Sequence, residues 1–245
     1  MPRFSSFDGV RIAYQELGEG RPIVLLHGFM GLGSQWISPG PAAALASSGF
    51  RVILPDLRGH GDSDRPHDPA FYPPDALADD MLALVAELGL DDYDLGGYSL
   101  GGRVVLRMLV RGARPRRAII AGQGLTGAGG ANRPALEAIA RREELDPAAQ
   151  QLAGWLDQSD ADPHALLQVL DSLVSTPVEA AHRIDVPTLV VVGDRDERQA
   201  TCAELAAALP LSHFVRVPGD HWTAFGSPEL IAALLDWISK PFDAR

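Results

Sequence analysis

The chain has one cysteine, Cys202, among its 245 residues. A lone cysteine can form no internal disulfide, so nothing in the sequence requires an oxidising compartment, and we expect Cys202 to be a core or surface thiol and not a nucleophile. No stretch approaches the roughly 20 consecutive apolar residues of a membrane-spanning helix, and the first residues lack the basic and apolar regions of a signal peptide. Met1 followed by Pro2 is typical of a native start. We therefore expect a cytoplasmic protein without a membrane span.

Basic residues are scarce, with 21 Lys and Arg against 32 Asp and Glu and a net charge of −11. They are dispersed apart from a short run at Arg114, Arg116 and Arg117. A chain of this charge balance is a poor nucleic-acid partner, and we expect none. His-Glu-x-x-His and other paired ligand spacings are also missing, so we predict neither a metal nor a cofactor.

Apolar residues make up 46% of the chain and charged residues 22%, which are ordinary globular proportions. Continuous apolar runs suit buried parallel strands, and the alternating segment at residues 10–16 suits an antiparallel edge strand. The other predicted strands are residues 23–26, 52–54, 93–96, 118–120, 188–192 and 213–217. Helical spacing at residues 74–88, 100–110 and 228–238 separates them. This alternation predicts an α/β fold with a mainly parallel central sheet flanked by helices.

One segment, residues 122–183, interrupts the alternation. It begins with a glycine-rich stretch at residues 122–130 and continues with apolar segments near residues 134–145, 147–156 and 163–174. A proline opens each segment, as in the first turn of a helix, so we predict three short helices and no strand. We therefore expect a core of residues 1–121 and 184–245. A helical cap, residues 122–183, is inserted before the predicted strand at residues 188–192.

The motif Gly97-Tyr98-Ser99-Leu100-Gly101 lies between a predicted strand and a predicted helix. At such a turn the serine needs a strained backbone, and small residues on either side let strand and helix approach closely. We predict that Ser99 is a nucleophile. The backbone N–H of Leu100 would then face a developing oxyanion, with a second donor in the N–H of Phe29 on the loop after residues 23–26.

A serine hydroxyl needs a base to accept its proton and a carboxylate to orient that base. His221 follows the last predicted strand and is the candidate base. Asp194 and Asp196 both lie just beyond the strand at residues 188–192, where α/β sheets place their sites, and spacing alone leaves both open. Because the base must be neutral, we expect activity to rise with pH through about 6 to 7.

Five segments occur in a fixed order along the chain: His27-Gly28-Phe29, Asp56 to Ser63, Gly97 to Gly102, Gly193 to Asp196, and His221. Together they make the chain resemble the α/β-hydrolase fold family, in its serine-nucleophile, esterase- and lipase-like branch. The resemblance covers nearly the whole chain outside the insertion. It implies a Ser-His-Asp triad in which the last residue of the Gly-x-x-Asp motif, Asp196, is the acid. Two positions depart from the family pattern: Asp220 stands where relatives usually have glycine, and Gly96 where a branched residue is common.

The resemblance implies hydrolysis of a small to medium carboxylic ester or related acyl compound. Ser99 argues against the epoxide hydrolase and haloalkane dehalogenase branches, which use an aspartate there. One alternative is a lyase of the menaquinone-pathway type that eliminates pyruvate, in which Arg103 would bind a substrate carboxylate. Another is a receptor-like relative with slow or no turnover. Trp155 and Trp222 are candidate substrate contacts, as an aromatic can line a cleft.

Overall fold

A computed structural model describes residues 1–38, 40–125 and 132–239. Within them, eight strands form one sheet in the order β1-β2-β4-β3-β5-β6-β7-β8. The strands from β4 through β3 to β8 are parallel, whereas β1 and β2 run antiparallel to their neighbours. The strands are β1 Arg3–Ser5, β2 Arg11–Leu17, β3 Arg21–Leu26, β4 Phe50–Pro55, β5 Asp94–Tyr98, β6 Arg117–Ala121, β7 Thr188–Gly193 and β8 Ser212–Val217.

Helices connect the strands and cover both faces of the sheet. They are α1 Ala42–Ser47, α2 Ala76–Glu87, α3 Leu100–Val110, α4 Arg133–Arg141, α5 Pro147–Gln158, α6 Pro163–Asp171, α7 Val178–Ala181, α8 Gln199–Ala208 and α9 Pro228–Ser239. Short 3-10 turns occur at Gly33–Trp36 and Pro69–Phe71. The predicted α/β-hydrolase fold with a mainly parallel sheet is confirmed.

The continuous apolar runs are buried on both faces, as β3 illustrates. Val24 and Leu26 pack into one core with α2, α3 and α8, whereas Ile23 and Leu25 pack into the other with α1 and α9. All four side chains are fully buried. Burial of each stabilises the fold by about 1.5–3 kcal/mol, and it explains why this strand shows no alternation.

The prediction that residues 10–16 form an edge strand is wrong. β2 pairs with β4 on one side and with β1 on the other, so β1 is the edge. β1 has only three residues, too few to show a periodic pattern, and its buried contact is the single side chain of Phe4. The prediction of three helices in residues 122–183 is also wrong, because a fourth helix, the four-residue α7, follows the three predicted ones.

Helices α4 to α6 have a small apolar cluster of their own, formed by Leu136, Leu156 and Leu166. Phe29 and Met30, from the loop after β3, pack against this cluster and connect it to the sheet. Asp146 and Asp162 cap α5 and α6 by accepting backbone N–H bonds, and a proline opens each of the two helices. The division into a core and a cap at residues 122–183 stays a prediction, and residues 126–131 of that segment lie outside the described residues.

Across the described ranges, we find no helix that combines the length and the apolar character needed to cross a membrane. The cytoplasmic location stays a prediction from the sequence.

The single cysteine, Cys202, is buried in α8. Burial raises the pKa of its thiol to about 12 and keeps it protonated.

The contact between α3 and β3 predicts a strong effect of one added methyl group. A Cβ on Gly101 would lie 2.0 Å from the carbonyl oxygen of Leu26, so Gly101→Ala must push the helix and strand apart. We expect the free energy of unfolding in urea to fall by about 1–3 kcal/mol. Gly154→Ala in α5 is the matched control, because its Cβ would meet no atom within 4 Å. That variant should gain about 0.5–1 kcal/mol from better helix propensity. Equal stability of Gly101→Ala and the wild type would contradict this packing.

Candidate active site

Ser99 lies at the sharp turn between β5 and α3. Its backbone has φ 53° and ψ −114°, a conformation that costs an L-residue about 1–3 kcal/mol. The flanking glycines allow the turn, since a Cβ on Gly97 would lie 2.3 Å from the backbone of Gly101. The N–H of Ser99 donates to the carbonyl of Ala121 on β6 at 2.8 Å. The strained backbone expected from the sequence is therefore present, and the sheet holds it in place.

Three side chains that are distant in sequence form one hydrogen-bonded line. His221 Nε2 lies 3.0 Å from Ser99 Oγ, and His221 Nδ1 lies 2.8 Å from Asp196 Oδ2. The Asp196 side chain is fully buried, and that of His221 is 12% exposed. The structure thus brings together the serine, base and acid predicted from the sequence, in a geometry that lets His221 take the serine proton.

Contacts from neighbouring strands hold the loop that carries His221. The phenol of Tyr98, on β5, donates to the carbonyl of His221 at 2.6 Å. Gly219 has φ 120°, and its N–H donates to Asp194 Oδ1 at 2.9 Å. Asp220 accepts the N–H groups of Trp222 and Thr223, which closes the turn around His221. Asp220 therefore has a local turn-forming role at the position where relatives usually have glycine.

The two candidate acids occupy different places. Asp196 faces His221 directly, whereas Asp194 supports the backbone of the His221 loop and has a 48% exposed side chain. The geometry favours Asp196 as the partner of the base and gives Asp194 a structural contact.

Burial lowers the pKa of His221 below its usual value. The hydrogen bond that His221 Nδ1 donates to Asp196 acts in the opposite direction, and the positive charge of Arg198 lowers the pKa further. At neutral pH the imidazole is therefore mainly in the neutral form that a general base requires. The midpoint lies lower than the unperturbed value that the sequence suggested.

The loop after β3 lies directly against the serine. A Cβ on Gly28 would be 3.5 Å from Ser99 Cβ, which is an ordinary van der Waals contact and shows how near the loop lies to the serine. The loop is held by buried imidazoles, because the N–H of Leu57 donates to His27 and that of Met30 donates to His60. Burial lowers the pKa of His27 to about 4 and that of His60 to about 3, so both remain neutral acceptors.

Phe29 and Leu100 border the cavity beside Ser99, and their role as oxyanion donors stays a prediction.

A cavity of about 1160 Å³ opens above Ser99. Trp155 from α5 and Trp222 from the His221 loop both border it, with exposed fractions of 37% and 75%. Arg103 also borders it and donates to the carbonyl of Val174 at 3.2 Å. Arg198, which sequence reasoning did not single out, lies at the same cavity. Further lining residues from the inserted segment are Gln123, Asn132, Ala148, Gln151, Leu152, Leu170 and Leu173.

Groups of three or more His, Cys, Asp or Glu side chains that could hold a metal ion are not found among the described residues. The absence of a metal and of a cofactor stays a prediction.

Comparisons with known proteins agree with this architecture. Residues 21–121 match the sequence model of a family described as alpha/beta hydrolase fold. A non-heme chloroperoxidase from Kitasatospora aureofaciens is 38% identical over 111 residues, which span 45% of this chain and 39% of that protein.

Two solved structures superpose over almost the whole chain, and at their level of identity they show the fold alone. The enol-lactonase from Burkholderia xenovorans LB400 has a TM-score of 0.83 at 24% identity, covering 98% of this chain and 100% of that one. A malate-bound esterase from Thermogutta terrifontis has a TM-score of 0.77 at 24% identity, covering 97% of each chain.

The hydrogen bonds of His221 predict that Asp194 and Asp196 differ in their effect on the titration of its imidazole. Asp196 raises the pKa of His221, so Asp196→Asn should move the imidazole titration to lower pH. Asp194→Asn should leave it in place, because Asp194 contacts Gly219 and not the imidazole. NMR titration of the His221 ring measures both midpoints, with His221→Gln to assign the resonance. Equal midpoints in the two variants would contradict the assignment of Asp196.

Proposed function

The chain belongs to the α/β-hydrolase fold family, and on that premise we propose that it is a serine hydrolase of small to medium carboxylic esters. The observation that carries the proposal is the line from Ser99 Oγ through His221 to Asp196, with distances of 3.0 Å and 2.8 Å. A serine on a strained turn, a neutral base and a buried carboxylate together suit nucleophilic acyl transfer.

The reaction proceeds in two steps. Ser99 Oγ attacks the acyl carbonyl carbon while its proton passes to His221 Nε2, and Asp196 stabilises the imidazolium that forms. The alcohol leaves with that proton, and an acyl group remains on Ser99. Water then attacks the same carbon and gives a proton to His221 Nε2. The acyl–Oγ bond breaks, His221 Nε2 returns that proton to Ser99 Oγ, and the carboxylic acid leaves. The products are one acid and one alcohol for each ester and water consumed.

The N–H groups of Phe29 and Leu100 hold the oxyanion in this proposal. Two features support it: Leu100 opens α3, whose first N–H groups have no partner within the helix, and Gly28 brings the Phe29 loop against Ser99. The positive end of the helix dipole adds to the stabilisation of negative charge. Loss of one such donor costs about 10²–10³ in rate in comparable enzymes.

The inserted helices form a cap over the site and shape the substrate cavity. Trp155 and Leu152 of α5, together with Leu170 and Leu173, supply apolar surface from the inserted segment, and Trp222 adds an aromatic side chain from the His221 loop. This lining suits an acyl compound of modest size. An esterase and an enol-lactonase have this fold, and the target in the proposal is the acyl–oxygen bond that an ester and a lactone have in common.

One observation keeps the pyruvate-eliminating lyase as a second candidate. Arg103 borders the cavity in the first turn of α3, where a guanidinium can meet a substrate carboxylate. Release of pyruvate from the lyase substrate, without turnover of simple esters, would decide for that activity. A receptor-like relative would instead leave Ser99 unlabelled by a fluorophosphonate probe in the folded protein.

Removal of the nucleophile tests the proposal directly. We expect Ser99→Ala to lower kcat/KM for p-nitrophenyl esters of two to eight carbons by on the order of 10⁴-fold or more. Ser63→Ala is the control. The Ser63 hydroxyl is buried, does not line the cavity at Ser99, and donates to the backbone carbonyl of Asp56. A Ser99→Ala variant that keeps wild-type turnover would refute the proposal.

The ionisation of His221 sets the pH dependence. A base with a lowered pKa loses its proton at lower pH, so kcat/KM should rise through a midpoint below 6.5 and then stay level to pH 8. Rates measured on one ester at constant ionic strength give this midpoint. A profile that is flat down to pH 4, or that rises only above pH 7.5, would argue against His221 as the base.

A further inference from the structure

Arg198 follows the acid by two residues, at the position just before α8. Its guanidinium Nη1 donates to Asp196 Oδ1 at 3.3 Å, and its backbone N–H donates to the same oxygen at 2.9 Å. The other carboxylate oxygen, Oδ2, faces His221. The carboxylate is therefore held on one side by Arg198 and on the other by the base.

The burial of these groups gives the contact its strength. The Asp196 side chain is fully buried, and that of Arg198 is 20% exposed. An ion pair with this little solvent is screened much less than a surface pair, and a charge-assisted hydrogen bond fixes the plane of the carboxylate. Glu197 approaches the same guanidinium at 3.6 Å, but its side chain is 80% exposed and competes weakly.

We propose that Arg198 is a positioning residue of the site, which clamps Asp196 from the side away from His221 and keeps a fixed positive charge behind that pair. The proposal deepens the serine hydrolase mechanism and rests on it for the effect on rate. The effect on the ionisation of His221 is independent of any turnover.

Several other groups face His221. Asp196, Glu197 and Arg198 approach from the loop after β7, Tyr98 from β5, and Asp220 and Trp222 from its own loop. Of the charged groups, Arg198 is the cation that opposes protonation of His221, and burial acts in the same direction. Arg198 therefore limits the attraction between Asp196 and an imidazolium, so that the base releases its proton readily in each half of the reaction.

Neutral substitutions at Arg198 test this role. In Arg198→Gln and Arg198→Met, the His221 titration followed by NMR should move to higher pH than in the wild type, because a nearby cation is lost and Asp196 has one counter-charge fewer. Arg198→Lys keeps the charge and should restore most of the midpoint. For an ester, kcat/KM at pH 8, where His221 is neutral in all variants, should fall about fivefold in the neutral variants.

The matched control is Arg195→Gln on the same loop. The Arg195 guanidinium pairs with Asp194 at 3.6 Å, whereas the ion pairs of Asp196 in the described structure are with Arg198 and His221. The His221 midpoint in Arg195→Gln should therefore equal that of the wild type. The comparison uses the midpoint because Arg195 also borders the cavity. An unchanged midpoint in both neutral Arg198 variants, or an equal shift in Arg195→Gln, would overturn the proposal. If the midpoints shift as expected but no ester is hydrolysed, the clamp stands and the proposed function fails.

Discussion

The close contact between β5 and α3 is the constraint on which the site depends. A Cβ on Gly97 in β5 would overlap the backbone of Gly101 in α3, and a Cβ on Gly101 would overlap the backbone of Leu26 in the neighbouring strand β3. The turn between β5 and α3 forces Ser99 into a strained conformation, which the hydrogen bond to Ala121 on β6 stabilises. The local strain of about 1–3 kcal/mol is small against the burial of both faces of the sheet. A rigid sheet thus holds the serine hydroxyl at the position where the other loops converge.

Parallel strands explain that convergence. The loops after β3, β5, β7 and β8 leave the same edge of the sheet, and they carry Phe29, Ser99, Asp196 and His221 in turn. Each loop has its own internal support: buried imidazoles behind Phe29, Asp194 beneath Gly219, and Tyr98 against the carbonyl of His221. The site is therefore built by long-range geometry, and its electrostatics follow from burial. Low exposure favours the neutral form of His221. The Asp196 carboxylate raises the pKa of His221 and the Arg198 guanidinium lowers it, while the two groups form an ion pair with each other.

The parts of this picture that the sequence could predict are those with a repeating or positional signal. Apolar runs such as residues 23–26 predicted buried strands, and the glycines around Ser99 predicted the turn. The strand β1 and the helix α7 could not be predicted, because three or four residues are too few to show a repeating apolar pattern. Asp194 and Asp196 could not be separated by spacing, since both follow β7; only the three-dimensional direction of each side chain distinguishes them. The contact of Arg198 with Asp196 had no sequence signal, because an arginine at the start of a helix is ordinarily a surface residue.

The measurement that most directly tests the central claim is capture of the acyl group on the protein. A p-nitrophenyl ester mixed with enzyme and quenched in acid within the first turnover should leave one acyl group on the peptide that contains Ser99, found by mass spectrometry. The same experiment with Ser99→Ala should leave that peptide unmodified. Release of the alcohol without an acylated Ser99 peptide, or with the acyl group on another residue, would contradict the account.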